Sequence, residues 1–555
     1  MATSEFHLPE VHMPPVHHGE LDRSIGFWGL MFVSLGSIIG SGWLLGALSA
    51  AQVAGGASII AWVLAALMLS VLALIHAELG TAYPVAGGTA RFPYFAFGAL
   101  AGFTAGWAAY LQAVTIAPIE VEASITYIDG TDWAKQHFQM LNSNFTLNGR
   151  GFIVAALLMV VFTTINLMGA KLLSESNSIM VIWKVFVPAL TVVVLIILSF
   201  HIHNFNAGGG FFTKGWHGIF AALPVGVVFA LQGFEQAVQM AGEARDPQKT
   251  VSRAIITAML VGAAIYILLE ISFIGALTPS NLAHGWADPL GAPSDSAYYT
   301  IALALGAGWL AKILLADAII SPAGTGLIYV GTSSRISYAL GEDDVMPNWL
   351  TQTSKRHVPI YSILLAFGIG ILAFLPFPSW QSLVALVTSA TAIMYAFAPI
   401  SLAALQDRDP DRPRAYHMPW PMVLNPAGFI FANLIIYWSG FEATWKILVG
   451  IFVGRVIFEI ELRRRDDVHR EDVDWRAASW IWPWLIGMTI IGLIGRYGTG
   501  SLNDLPNWID LLVVALFSLV IFYYAVSLAM TSQQVNDAVR TEEEAIAGAP
   551  ELRTA

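Results

Sequence analysis

The chain of 555 residues is 56% hydrophobic and only 12% charged, with a mean hydropathy of +0.65 and a formal net charge of −11. A soluble globular protein carries about 25% charged residues, so this composition excludes a water-soluble body of this length and makes lipid the solvent. The absence of cysteine excludes disulfides, cysteine-ligated zinc, iron–sulfur clusters and thiol catalysis.

Residues 1–24 are polar, with the run "HLPEVHMPPVHH", and precede a full-length apolar stretch, so they read as a cytoplasmic tail rather than a cleavable signal or a metal site. A membrane-crossing helix needs about 20 apolar residues. That criterion predicts spans near 25–52, 56–79, 98–125, 152–170, 177–200, 217–241, 253–277, 300–328, 359–376, 380–405, 424–441, 444–462, 478–496 and 508–531, fourteen in all. Trp480, Trp482 and Trp484 cluster at one span end, as interfacial anchors do. The final stretch, 532–555, reads as a solvated cytoplasmic tail that includes a short acidic helix.

Basic residues set the orientation. With a cytoplasmic N-terminus, nineteen of the 27 lysines and arginines fall on cytoplasmic segments and five outside (Lys135, Arg150, Lys214, Lys446, Arg496). Lys184, Lys312 and Arg455 remain within spans. Both termini are therefore expected inside, in a cell membrane.

Two spans have centres that resist helix formation. Span 1 carries "SLGSIIGSGWLLG" (34–46), with four glycines and three serines. Span 6 carries "PVGVVFALQGFEQAVQMAGE" (224–243), with Pro224, Gly226, Gly233 and a charged Glu235. The two lie five spans apart, so a five-span repeat must be inverted in the membrane; paired interruptions of this kind point to a transporter's binding site. Unwound backbone is tolerated in lipid only where it faces a cavity or ligand. Freed N–H groups at a helix N-terminus suit a carboxylate, and freed carbonyls suit an ammonium: the two ends of an amino acid. The bland alternative is close helix packing through small residues.

At these residues the sequence resembles the amino acid–polyamine–organocation transporters. "GSIIGSGWLLG" looks like that family's helix 1 motif, and "AELGTAYPVAGGTARFPYFAFG" (77–98) resembles its helix 2–3 signature. "FALQGFEQAVQMAGEARDPQKTVSRAI" (229–255) looks like its helix 6, and "SSRISYALGEDDVMPNWL" (333–350) resembles the loop after helix 8. Within the family, "APIEVEASITYI", "LADAIISPAGTG" and "FLPFPSWQSLVALV" look most like the bacterial aspartate–proton symporter group. The resemblance implies an all-α LeuT-type fold of five plus five inverted helices in residues 25–405, four additional helices in 406–531, and no cofactor. It also implies that the backbone around Ser37, Ile38, Gly40, Ser41 and Gly42 holds the substrate carboxylate. The amine would lie near the carbonyls of Phe229, Ala230 and Leu231, beside Gly233. Phe229 occupies the aromatic position that closes over substrate in relatives, or is ordinary packing.

A charge at the bilayer centre costs about 2.5–3.5 kcal/mol on insertion scales, so each one needs a reason. Lys184, in "VIWKVFVPAL", matches the lysine that replaces a sodium ion in proton-using relatives; the alternative is a structural lysine that snorkels or binds unwound carbonyls. Burial disfavours the charged form of any titratable group, and in this way a lysine comes to exchange protons. Glu235 is either a proton carrier or a structural carboxylate accepting hydrogen bonds from unwound helix 1. Glu120 and Glu122 lie two apart, so only one is expected to face the bundle interior; the subgroup resemblance implies that it is Glu120. Asp317 and Ser321, one turn apart, share a face toward helix 1. Lys312 either meets an acidic substrate side chain or pairs with a glutamate. His76 and Arg455 read as interface or packing residues.

No HExxH, GxSxG or Walker-type motif occurs in the sequence. The reading is thus a secondary transporter that imports an amino acid, acidic on the subgroup resemblance, together with a proton, and not an enzyme; no nucleic-acid partner is expected. Alternatives are an exchanger or polyamine carrier, and a non-transporting amino-acid sensor.

Overall fold

Two runs of residues that cannot remain helical interrupt an otherwise helical chain. The computed structural model describes residues 23–168, 170–283, 285–290, 296–342, 345–354, 358–375, 379–464 and 473–548. The first span is split into α1 (Phe27–Ile38) and α2 (Gly42–Ala54), and a single turn leads into α3 (Ser58–Ala82). Then come α4 (Gly88–Phe97), α5 (Ala99–Asp129), the short α6 (Asp132–His137), α7 (Gly149–Met168) and α8 (Ala170–Leu198). The sixth span is broken twice. α9 (Gly215–Ala222) passes through a wide turn at Leu223–Val227 into α10 (Val228–Leu231), and after an extended stretch the chain resumes as α11 (Gln236–Gln239). Pro224 lacks an amide hydrogen and Gly226 sits at φ +152°, which only glycine adopts readily; together they widen that turn.

The second half continues with α12 (Pro247–Ala276), α13 (Pro279–Leu282), α14 (Ala297–Ala304), α15 (Gly308–Glu342), α16 (Ile360–Ala373) and α17 (Trp380–Arg408). Last are α18 (Pro421–Trp438), α19 (Gly440–Arg464), α20 (Ile481–Ile494), α21 (Ile509–Ser527) and α22 (Ser532–Gly548). Among the described residues, nine helical segments are long and apolar enough to cross a membrane, and α1, 215–231, α16 and α20 are shorter apolar helices. Each of the fourteen expected spans has a helix, in the order of a LeuT-type fold with helices 1 and 6 broken.

Burial sorts the helices into layers. The apolar stretch of α5 is 94% buried and that of α17 89%, against 33% for α7 and α21, so α5 and α17 form the centre. Outward faces carry exposed apolar side chains such as Leu67, Ile179, Ile197 and Val520, the surface expected of lipid contact rather than water.

Several sequence expectations need correction. The eighth span begins at Gly308, not 300, because Leu305–Ala307 turn the chain after α14. It runs on to Glu342, so the first ten residues of "SSRISYALGEDDVMPNWL" are helix and not loop. Ser333, Ser334 and Ser337 donate back to carbonyls of the preceding turn, so their hydroxyls do not oppose the helix. Trp480 and Trp484 are fully buried, packed on each other and on Phe397, so they are core rather than interfacial anchors. The described part of the C-terminal tail is docked, not solvated: Val535, Ala538 and Val539 are buried, Arg91 faces Glu542 at 3.7 Å, and Arg412 binds Glu543 at 2.6 Å. The leader 1–22 and residues 549–555 lie outside the described residues.

A charge cluster closes one end of α3. Glu78, 1% exposed, accepts from Gln406 Nε2 and the Met418 amide, both at 2.7 Å, and faces Arg414 at 3.5 Å. Glu78→Leu strands a buried guanidinium and is expected to cost about 3–5 kcal/mol of stability, read as a lowered melting temperature of the detergent-purified protein.

Candidate functional site

The break between α1 and α2 frees backbone groups that need partners, and most of these partners come from distant helices. The Ser41 amide donates to Glu120 Oε2 on α5 at 2.8 Å. The Gly36 carbonyl accepts from Lys184 Nζ on α8 at 2.8 Å and from the Thr325 hydroxyl on α15 at 3.2 Å. The Ile38 carbonyl accepts from the Tyr266 hydroxyl on α12 at 2.9 Å. Lys184 also donates to Thr325 Oγ1 at 2.6 Å. The protein's own ammonium and carboxylate thus occupy the break as the two charged ends of an amino acid would.

The two breaks are packed backbone to backbone. A Cβ on Gly42 would stand 2.8 Å from Ala230 Cα, and one on Gly233 would stand 2.9 Å from the Ser37 carbonyl carbon and Cβ. Gly233 itself has φ +114°. Ser34 ties the pair further: its hydroxyl donates to the Phe234 carbonyl at 3.0 Å and accepts from the Ala237 amide at 3.2 Å.

Between the breaks lies a small cavity with room for about one water molecule. It is lined by Ser37, Ile38, Gly40 and Gly42 from the first break, by Phe229 and Gln232 from the second, and by Ile116, Glu120, Thr325 and Tyr329. Of the expected substrate residues, Ser37, Ile38, Gly40, Gly42 and Phe229 therefore line it. Ser41, Ala230, Leu231 and Gly233 do not: the Ser41 amide is held by Glu120, while Ala230 and Gly233 press against the first break. Phe229 meets Trp380 edge-on at 5.9 Å, and Trp380 Nε1 donates to Ser41 Oγ at 3.2 Å. An amino acid is larger than this cavity.

The remaining intramembrane charges are dispersed. Asp317 accepts from Trp43 Nε1 at 3.0 Å, Trp183 Nε1 at 2.7 Å and Ser321 Oγ at 2.7 Å. Glu235 accepts from the Gly233 amide at 2.9 Å and the Tyr395 hydroxyl at 2.5 Å. Its partners are thus its own break and α17, not unwound helix 1; two residues past Gly233, its side chain folds back on its own turn, and Glu120 serves helix 1 instead. Glu122 is 1% exposed, as buried as Glu120, so both carboxylates face inward. Lys312 is exposed in the second turn of α15 and, among the described residues, meets neither a glutamate nor the cavity. Glu270 is held by Ser58 and by Trp62 Nε1 at 3.0 Å. His76 meets the stacked Phe234 and Tyr395 rings edge-on, and Arg455 pairs with Glu459 at 2.8 Å over Trp475.

Sequence reasoning missed Thr325, Gln232, Tyr329, Tyr395, Trp43, Trp183 and Trp380. A signal existed for Thr325 alone: Asp317, Ser321 and Thr325 recur every fourth residue and share a helix face.

The "Amino acid permease" family profile matches residues 25–457. The chain is similar to the glutamate/serine transporter AimA of Bacillus subtilis, 34% identical over 536 residues covering 96% of this chain and 98% of that protein. It is also similar to the aspartate–proton symporter of Bacillus subtilis, 33% identical over 514 residues covering 91% and 96%. A branched-chain amino acid permease, BcaP of Lactococcus lactis, is 29% identical over 431 residues, 74% of this chain and 88% of that protein.

Proposed function

The chain belongs to the amino acid permease family, and from that premise we propose that it is a symporter carrying an amino acid, acidic or small and polar, with a proton across the cell membrane. Residues 25–405 form the transport core, 406–531 support it, and both termini are cytoplasmic. The observation that carries the coupling is the placement of Lys184. Its ammonium lies 2.8 Å from the Gly36 carbonyl and 2.6 Å from Thr325 Oγ1, a fixed monovalent cation among oxygens at the helix 1 break.

Glu120 links the proton to the substrate. Its carboxylate holds the Ser41 amide at 2.8 Å, at the N-terminus of α2, where a substrate carboxylate is best placed. Two anions compete for one donor site. A proton on Glu120 removes its charge from that competition and hands the amide to the substrate; loss of the proton on the other side returns it. Asp317 and Glu235, each in its own set of donors, complete the proton-handling groups. The substrate amine faces the carbonyl end of α10 at Phe229, and the Phe229 and Trp380 rings close over it.

Radiolabelled uptake into proteoliposomes across an amino-acid panel tests this reading. An inward proton gradient is expected to drive accumulation without sodium and to fail with a protonophore. Accumulation driven by sodium and indifferent to pH overturns it, as does protonophore-insensitive exchange against preloaded substrate. Glu120→Gln, uncharged at every pH, is expected to retain substrate counterflow while losing the pH dependence of apparent affinity. An unchanged affinity–pH profile in that variant removes Glu120 from the coupling.

A further inference from the structure

Several polar groups in the cavity wall lack hydrogen-bond partners among the described residues. Gln232 lies in the extended stretch after α10, is 3% exposed and lines the cavity, yet neither its amide nitrogen nor its amide oxygen has a hydrogen-bond partner among the described residues. The same holds for the hydroxyls of Ser37 and Tyr329, which are 6% and 1% exposed. The Tyr329 hydroxyl has the side chains of Ser37, Gln112 and Gln236 as its polar neighbours. Tyr329 is one helical turn beyond Thr325 on α15 and lines the same cavity. Nearly all buried polar side chains in folded proteins are paired, and an orphan in a cavity wall marks a missing partner.

We infer that Gln232, Ser37 and Tyr329 form the subsite for the substrate's side chain, and that this side chain must offer both a hydrogen-bond donor and an acceptor. The inference rests on the amino-acid transporter reading and narrows it. The Gln232 amide presents one donor nitrogen and one acceptor oxygen to the cavity. A hydroxyl, a primary amide or a protonated carboxyl answers both; an ionised carboxylate is acceptor only and leaves Gln232 Oε1 unpaired. An aliphatic side chain leaves every one of these groups buried and unpaired. Among the described residues no cation lines the cavity: the ammonium of Lys184 is spent on Gly36 and Thr325. The substrate class is thus small amino acids with a hydroxyl or amide, together with acidic amino acids in the form whose side chain carries a proton.

Competition binding to the full-length, detergent-purified protein tests this with pairs of matched shape: serine against 2-aminobutyrate, and asparagine against leucine. A site built to hydrogen-bond its ligand rejects the apolar analogue strongly, so each polar member is expected to compete about 100-fold better or more. Aspartate is expected to gain on serine as pH falls, because its side chain takes up a proton in the solution range. Gln232→Leu is expected to bring the serine preference below about tenfold. Should that variant fail to elute as a single folded species, Ser37→Ala and Gln232→Asn read the same subsite, with partial loss expected. Equal competition by 2-aminobutyrate and serine in the wild type overturns the inference, as does an unchanged preference in Gln232→Leu. An aspartate-to-serine ratio independent of pH overturns the requirement for a donor. These ratios need no gradient, so a failure of proton coupling leaves them readable, whereas binding of no amino acid at all overturns both readings together.

Discussion

Replacement of Lys184 by alanine is expected to abolish accumulation of substrate on a proton gradient. One pH unit supplies about 1.4 kcal/mol per proton and 100 mV about 2.3 kcal/mol per net charge moved, together enough for about 500-fold accumulation of a zwitterionic amino acid carried with one proton. Without Lys184 the expected ratio falls to passive equilibration. The reason is local. The Gly36 carbonyl loses its ammonium, Thr325 loses a donor, and the buried carboxylates of Glu120 and Asp317 lose the cation nearest them. Leaving buried charge uncompensated carries its own stability cost, about 3–5 kcal/mol, so thermal melting must be read beside uptake. The deciding comparison is accumulation against counterflow in one preparation. A Lys184→Ala protein that folds and exchanges substrate but no longer concentrates it has lost coupling alone. One that still concentrates substrate on a proton gradient overturns the assignment.

The second large effect is steric. Gly42→Ala places a methyl 2.8 Å from the Ala230 backbone, and Gly233→Ala places one 2.9 Å from the Ser37 carbonyl carbon. The obstacle in each case is main chain, which cannot rotate aside as a side chain can. Gly233→Ala carries a further penalty, because φ +114° is strained for any residue with a Cβ. Each substitution is expected to force the two broken helices apart and reduce substrate binding below detection, while spans remote from the breaks still insert. Gly368→Ala, with nothing near its added methyl, is the matched control and is expected to bind and transport as the wild type does. Binding retained in both break variants would show that the helices do not need their close contact.

Much of the candidate site was legible because its signals are local. A cluster of glycine and serine inside an apolar run, repeated five spans later, marks unwound backbone wherever the chain folds, since lipid offers no other satisfaction for those groups. Lys184, Glu120, Asp317 and Glu235 announced themselves by being charged at membrane depth. What each charge touches was not legible. Glu235 and Glu120 look alike in sequence, yet Glu235 caps its own turn and Glu120, 79 residues from Ser41, caps helix 1. Lys312 and Lys184 look alike too, but one faces outward from α15 and the other meets the break. Trp480 and Trp484 read as interfacial because sequence records hydrophobicity and not which face packs inward.

By itself the sequence determined that the chain lives in lipid, that it crosses many times, and that spans 1 and 6 are broken; each follows from the solvation of apolar side chains and backbone within a few residues. The tertiary structure decided who satisfies the broken backbone: Lys184, Thr325, Tyr266 and Glu120, from four helices far apart along the chain. It also decided that Gln232, Ser37 and Tyr329, from three separate segments, line one cavity. Those are facts of juxtaposition, and hydrogen bonds reach about 3 Å in space with no regard to distance along the chain.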